Sequence, residues 1–83
     1  MPERYSVMRT SRYGNQGANV QQLYSVMRRD IKRTDDVIRV ATDMANKDKP
    51  ATNETIFYDV VLINDMGEQE TIKSIEVEGK KSI

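Results

Sequence analysis

The chain has 83 residues, 13 of them basic and 13 acidic, and it contains no cysteine, histidine or tryptophan. A chain of this length accommodates one small domain, 1–83, and the missing residue types exclude a disulfide framework, a Cys/His metal site and catalysis by histidine or cysteine. Because neither a disulfide nor such a metal site can support so small a core, we expect self-association to supply further burial.

The first predicted element is a strand over residues 4–13. Alternation along this segment places Tyr5, Val7 and Tyr13 on one face. The following Gly-Asn-Gln-Gly segment, 14–17, is typical of a turn. Because the strand is polar and rich in arginine, we expect it at a sheet edge or in a mobile arm.

A long amphipathic helix is predicted over residues 19–47. Asn19 and Gln22 have the spacing of a helix-capping box, and Pro50 favours an end just before it. An apolar seam with heptad spacing runs along the segment: Val20, Tyr24, Met27, Ile31, Thr34, Ile38, Ala41 and Ala45. Such a helix would be about 40 Å long. A globule of this size is only about 30 Å across, so the seam would extend beyond its own domain.

A break at Thr34 is the alternative. Thr34, Asp35 and Asp36 form a helix-start signal, and the apolar face rotates by about 60° at this point. Two antiparallel helices would explain that rotation, but no glycine or proline is present to make the turn. The pentapeptide Tyr5–Arg9 recurs as Tyr24–Arg28. Two copies in different predicted elements are too few for a repeat architecture, so we interpret the recurrence as coincidence.

The last third predicts a β-hairpin with strands over 55–63 and 69–78. Residues 64–67, Asn-Asp-Met-Gly, suit a type I turn closed by a glycine, and a change of phase near Ser74 indicates a bulge. Apolar residues lie on both faces of the first of these strands, which predicts that it is covered on both sides. The expected fold is α+β: a small antiparallel sheet in β-α-β-β order, packed against one long amphipathic helix.

The favoured function is non-catalytic protein–protein interaction, as a regulatory accessory protein. The helix seam is expected to build a homodimer through four residues: Met27, Ile31, Ile38 and Ala41. The assembled particle would then bind another protein. No cofactor, metal site or small-molecule substrate is predicted, because no glycine-rich phosphate loop and no metal-ligand spacing is present.

Nucleic-acid binding is the alternative function. Residues 1–40 hold eight basic groups against four acidic ones, and every arginine lies there. The candidate phosphate contacts are Arg9, Arg12, Arg28, Arg29, Lys32 and Arg33. The sequence pI of about 6.2 and the interleaved aspartates argue against a dedicated nucleic-acid domain.

No contact with a membrane is expected. The longest apolar run, Val60–Ile63, is far shorter than the roughly 20 residues that span a bilayer. The first residues lack the apolar stretch of a signal peptide, so a cytoplasmic location is expected.

Overall fold

The computed structural model describes residues 3–14 and 16–81. It has four strands and one α-helix: β1 (Arg4–Tyr13), β2 (Asn19–Met27), α1 (Thr34–Lys47), β3 (Glu54–Ile63) and β4 (Gln69–Glu78), with a single 3-10 turn at Arg28–Asp30. The α+β class, with one antiparallel sheet and one helix, is confirmed. The predicted β-α-β-β order is wrong, because a fifth element, β2, precedes the helix.

All neighbouring strands are antiparallel, in the order β2-β1-β3-β4. The two central strands are β1 and β3, so the edge position predicted for β1 is also wrong. Since β2 and β3 both run antiparallel to β1, they are parallel to each other. The connection from β2 to β3 therefore crosses β1, as in a split β-α-β unit, and the helix α1 within it packs mainly on β3 and β4.

The helix covers one face of the sheet, which we call the helix face. Val37, Ala41 and Ala45 of α1 are buried against the centre of this face. The strands contribute Tyr5, Val7, Ile56, Tyr58 and Val60 to the same core. At 14 residues, α1 is about 21 Å long. It starts at Thr34, whose hydroxyl lies 2.8 Å from that of Tyr5, and ends at Lys47, where the long helix was predicted to end.

The N-terminal half of the predicted helix 19–47 is wrong. Residues 19–27 form β2, and the register of β2 against β1 shifts at Val7/Met8, leaving Leu23 as an extra residue. A bulge interrupts the two-residue alternation of a strand. Apolar side chains at Val20, Leu23, Tyr24 and Met27 consequently acquire the spacing of three and four that is typical of a helix. The single rod predicted through Ala45 does not exist.

The recurring pentapeptide lies where β1 and β2 pair. Tyr5 is opposite Val26, Ser6 is opposite Ser25, and Val7 is opposite Tyr24. Each copy of Tyr-Ser-Val therefore pairs with the other copy in reverse, centred on the two serines. The expectation that the two copies lie in different elements is wrong, because both are strands and they pair with each other.

The predicted hairpin of β3 and β4 is confirmed, with β3 beginning one residue earlier, at Glu54. Asn64 Oδ1 accepts bonds from the backbone N–H of Met66 and of Glu68, both at 2.9 Å. Gly67 has a φ of 84°, which only glycine adopts without strain. The bulge falls at Ile72, between the partners of Val60 and Val61, and not at Ser74.

The far end of β4 is fixed by a close backbone approach. Gly79 N–H donates to the carbonyl of Glu54 at 2.8 Å, and a Cβ on Gly79 would overlap the carbonyl oxygen of Ala51. The Glu54 carboxylate accepts bonds from Ser11 Oγ and from the backbone N–H of Ala51. The bond from Ser11, and to a smaller extent that from Ala51, holds the pKa of Glu54 below its usual value.

Among residues 3–14 and 16–81, no helix has the length and hydropathy that a membrane span requires.

Candidate interaction face

The sheet presents a second face, opposite α1, which we call the open face. No element formed by residues 3–14 or 16–81 packs on it. Its central part comes from alternate residues of β1 and β3, because side chains alternate between the two faces of a strand. Four apolar side chains of this central part form what we call the apolar strip: Met8, Phe57, Val61 and Ile63.

On β3 the apolar strip is interrupted by Asp59, and Met8 on β1 links its two parts. On the open face of β3, Val61 and Ile63 are successive residues, whereas Asp59 lies between Phe57 and Val61; Met8 on β1 is opposite Asp59 and diagonally beside Phe57 and Val61. Val61 is only 6% exposed because neighbouring side chains cover it, whereas the other three are half-buried. An antiparallel sheet with one solvated face normally alternates apolar and polar residues. β3 does not alternate in this way, because Phe57, Val61 and Ile63 lie on its open face.

Charged residues border the apolar strip, and Asp59 lies within it. Arg4 and Arg12 lie at opposite ends of β1, and Asp59 accepts a bond from Ser74 Oγ at 2.6 Å. Glu76 and Glu78 lie two residues apart on β4. A hydrogen bond between these carboxyls raises the pKa of Glu76, because a shared proton relieves the repulsion of two like charges. The open face therefore has apolar side chains at its centre, with Asp59 between them, and a rim that carries both signs of charge.

The helix face holds a polar cluster beside α1. Arg9 Nε donates to Asp48 Oδ2 at 2.9 Å, and the Tyr58 hydroxyl donates to the same oxygen. The bond from Arg9 holds the pKa of Asp48 below its usual value, and burial raises the pKa of Tyr58. Asp48 follows the last residue of α1, so the cluster fastens the end of the helix to the two central strands. Within this cluster Arg9 is paired with Asp48.

We expect Asp48→Asn to lower the free energy of unfolding by about 1–2 kcal/mol at neutral pH, the usual value of a charge-assisted bond that is partly buried. The lowered pKa of Asp48 means that this contribution is complete above the ordinary aspartate value of 3.8 and is lost as the pH falls through the lowered value. Urea unfolding at pH 7 and at pH 2.5 measures the difference. An equal gap between wild type and variant at both pH values would contradict the role of the carboxylate.

The structure does not bring the six predicted phosphate contacts together. Arg9 is held by Asp48 on the helix face, and Arg12 lies at the Glu54 end of the sheet. Arg28 pairs with Glu3 at 2.6 Å. The remaining three are exposed and follow the end of β2 that lies beside Arg4: Arg29, Lys32 and Arg33. Positions 4 and 12 of one strand are about 26 Å apart, so the basic residues occupy three separate places.

The four residues predicted for self-association are also dispersed. Met27 ends β2, and Ile31 lies in the connection to α1 and packs on the core. Ile38 is partly buried on α1, and Ala41 is fully buried beneath it. Because Ala41 already belongs to the chain's own core, these residues do not form the exposed seam that the helical dimer required.

The open face was not predicted as a site, although its signal was present in the sequence. Apolar residues at both the odd and the even positions of residues 56–63 indicated a strand covered twice. The predicted long helix could cover only one of these two faces. Because β2 was predicted as part of a helix, the strands that form the second face were not identified.

Comparisons with protein-family models, curated proteins and solved structures find no match to this chain. In the described part of the chain, no three His, Cys, Asp or Glu side chains lie together as a metal site would require.

Proposed function

We propose that the chain is a non-catalytic accessory protein that binds another protein through its open face. The observation that carries this proposal is the apolar strip, which lies on a sheet face that α1 does not cover. Patches of apolar surface with a polar rim are typical of protein interaction sites. The mixed charges of the rim favour a partner with both signs of charge, as most protein surfaces have.

A nucleic-acid partner is supported less well. A phosphate backbone requires several basic groups along one track. Four of the six candidate basic side chains lie in the segment 28–33, but Arg9 and Arg12 lie elsewhere, and Arg9 and Arg28 are paired with carboxylates. On the open face, Asp59, Glu76 and Glu78 would repel phosphates beside the aromatic ring of Phe57, where a base could otherwise stack.

The test compares substitutions inside and outside the apolar strip. We expect Phe57→Thr to weaken partner binding by about 10- to 100-fold, since a central aromatic contact carries a large share of such energy. Threonine retains a high strand propensity, so the sheet should persist. Met66→Thr is the matched control, because Met66 lies in the hairpin turn and is 85% exposed.

The measurement is affinity capture from the native host, with circular dichroism of each variant to verify folding. A protein retained by wild type and by Met66→Thr, and lost with Phe57→Thr, is the expected result. Retention of the same protein by all three would contradict the proposal. Binding of a labelled single-stranded or duplex oligonucleotide at low salt, falling steeply as salt is raised, would favour the nucleic-acid alternative.

A further inference from the structure

The edge strand β2 has the character of a strand that accepts another strand. Its nine residues, Asn19–Met27, carry no charge and no proline. The opposite edge strand, β4, carries four charged residues, Glu70, Lys73, Glu76 and Glu78. Charges on an edge strand discourage pairing with other chains. By this criterion, β4 is protected and β2 is not.

The backbone of β2 is available for pairing on its outer side. Arg28 N–H donates to the Glu3 carbonyl at 3.0 Å, so Glu3 and Arg28 form a hydrogen-bonded pair of the antiparallel ladder. Such pairs alternate with non-bonded pairs, and the register is regular from Glu3 to Val7. Ser6 and Ser25 therefore form a non-bonded pair. The N–H and C=O of Ser25 point away from β1, toward an edge on which no described element lies.

The identity of the second strand follows from the recurring pentapeptide. On its inner side, Tyr24-Ser25-Val26 already pairs with Tyr5-Ser6-Val7 of β1. The β2 strand of a second copy presents the same three residues. We propose that two chains associate through β2, antiparallel, about a two-fold axis at Ser25, so that each β2 takes the position on its neighbour that β1 takes on the inner side.

This register is compatible with the charges and the side chains. Ser25 would face Ser25 of the second copy in a hydrogen-bonded pair, with Tyr24 opposite Val26 on either side of the axis. Met27 would face Leu23, which is 40% exposed. The paired segment, residues 23–27, carries no charge, so no two like charges face each other. The bulge at Leu23 sets the limit of the paired segment at each end.

The product is an eight-stranded sheet with α1 of both chains on one side. An axis perpendicular to the sheet keeps both open faces on the other side, where they adjoin. This inference is independent of the proposed function, because backbone pairing at β2 does not use the apolar strip.

The test exploits the position of residue 25 on the axis, where a single substitution meets itself. We expect wild type at 50 μM to have twice the monomer mass of 9.6 kDa by light scattering. Ser25→Lys places two lysines directly opposite each other, on Cα atoms about 5.5 Å apart, and their like charges should raise the dissociation constant at least tenfold. Thr71→Lys is the control, since it adds the same charge to an exposed position on β4.

Mixing provides the decisive outcome. Ser25→Lys and Ser25→Glu should each be monomeric and folded by circular dichroism, and an equimolar mixture should recover the dimer mass. A monomeric wild type at 50 μM would overturn the proposal. A wild-type dimer that Ser25→Lys leaves intact, or a mixture that stays monomeric, would place the contact elsewhere and overturn it too. If Phe57→Thr abolishes partner capture but leaves the dimer mass unchanged, the dimer through β2 stands and only the role of the open face is tested.

Discussion

Ile56→Ala is expected to lower the free energy of unfolding by about 3 kcal/mol. The Ile56 side chain is completely buried and is the largest of the fully buried side chains. Removing three carbons from such a site loses their transfer free energy and leaves a cavity between α1 and β3. In a domain of this size, that loss lowers the melting temperature by about 15 °C.

The matched control is Ile63→Ala on the same strand. Ile63 is only half-buried and lies on the open face, so we expect a loss of about 1 kcal/mol or less. Chemical denaturation of both variants measures the difference. Equal losses would show that the two faces of β3 are equally covered, which contradicts the assignment of an open face.

Gly79→Ala is expected to lower the free energy of unfolding by about 2 kcal/mol. The added methyl group would overlap the backbone of Ala51 and force the two segments apart. Separation breaks the bond from Gly79 N–H to Glu54 and the bond from Asn53 N–H to the Lys80 carbonyl, which is 2.7 Å long. Each such bond contributes about 1 kcal/mol net.

Gly17→Ala is the control for this prediction, because nothing lies within 4 Å of a Cβ at Gly17. We expect it to leave the melting temperature unchanged within about 2 °C, since it adds no contact. Amide hydrogen exchange provides a second measurement, with faster exchange at Asn53 and Gly79 in the Gly79→Ala variant. Wild-type stability and exchange in that variant would show that the close approach does not constrain the chain.

The elements with local signals were predictable from the sequence. Alternation defined β1 at residues 4–13, and the β-branched run with a turn defined the β3–β4 hairpin. Thr34 with its two aspartates marked the start of α1, although the prediction treated this break as the alternative. In these places, the residues that decide the structure are neighbours in the chain.

The strand β2 could not be recognised from its spacing, because the bulge at Leu23 imitates a helical period. The second copy of the pentapeptide was the stronger signal, since one sequence was assigned to a strand at Tyr5 and to a helix at Tyr24. Consistent treatment of the two copies would have predicted two paired strands.

The site residues depend on contacts between distant parts of the chain. Arg9 and Asp48 are 39 positions apart, so nothing local indicated that Arg9 was already paired. Likewise, the open face arises only once the register of β1 on β3 sets Met8 beside Phe57 and Val61. A sequence pattern identifies which residues are apolar or basic, but pairing decides which of them meet.

The central position of β1 and β3 has a consequence for the order of folding. Their pairs range from Tyr13 and Glu54, 41 positions apart, to Arg4 and Ile63, 59 positions apart. Each of the two hairpins, in contrast, closes over a short loop at little entropic cost. We therefore expect the hairpins to form early and their docking along the β1–β3 seam to limit the folding rate, so that a chain of only 83 residues folds slowly for its size.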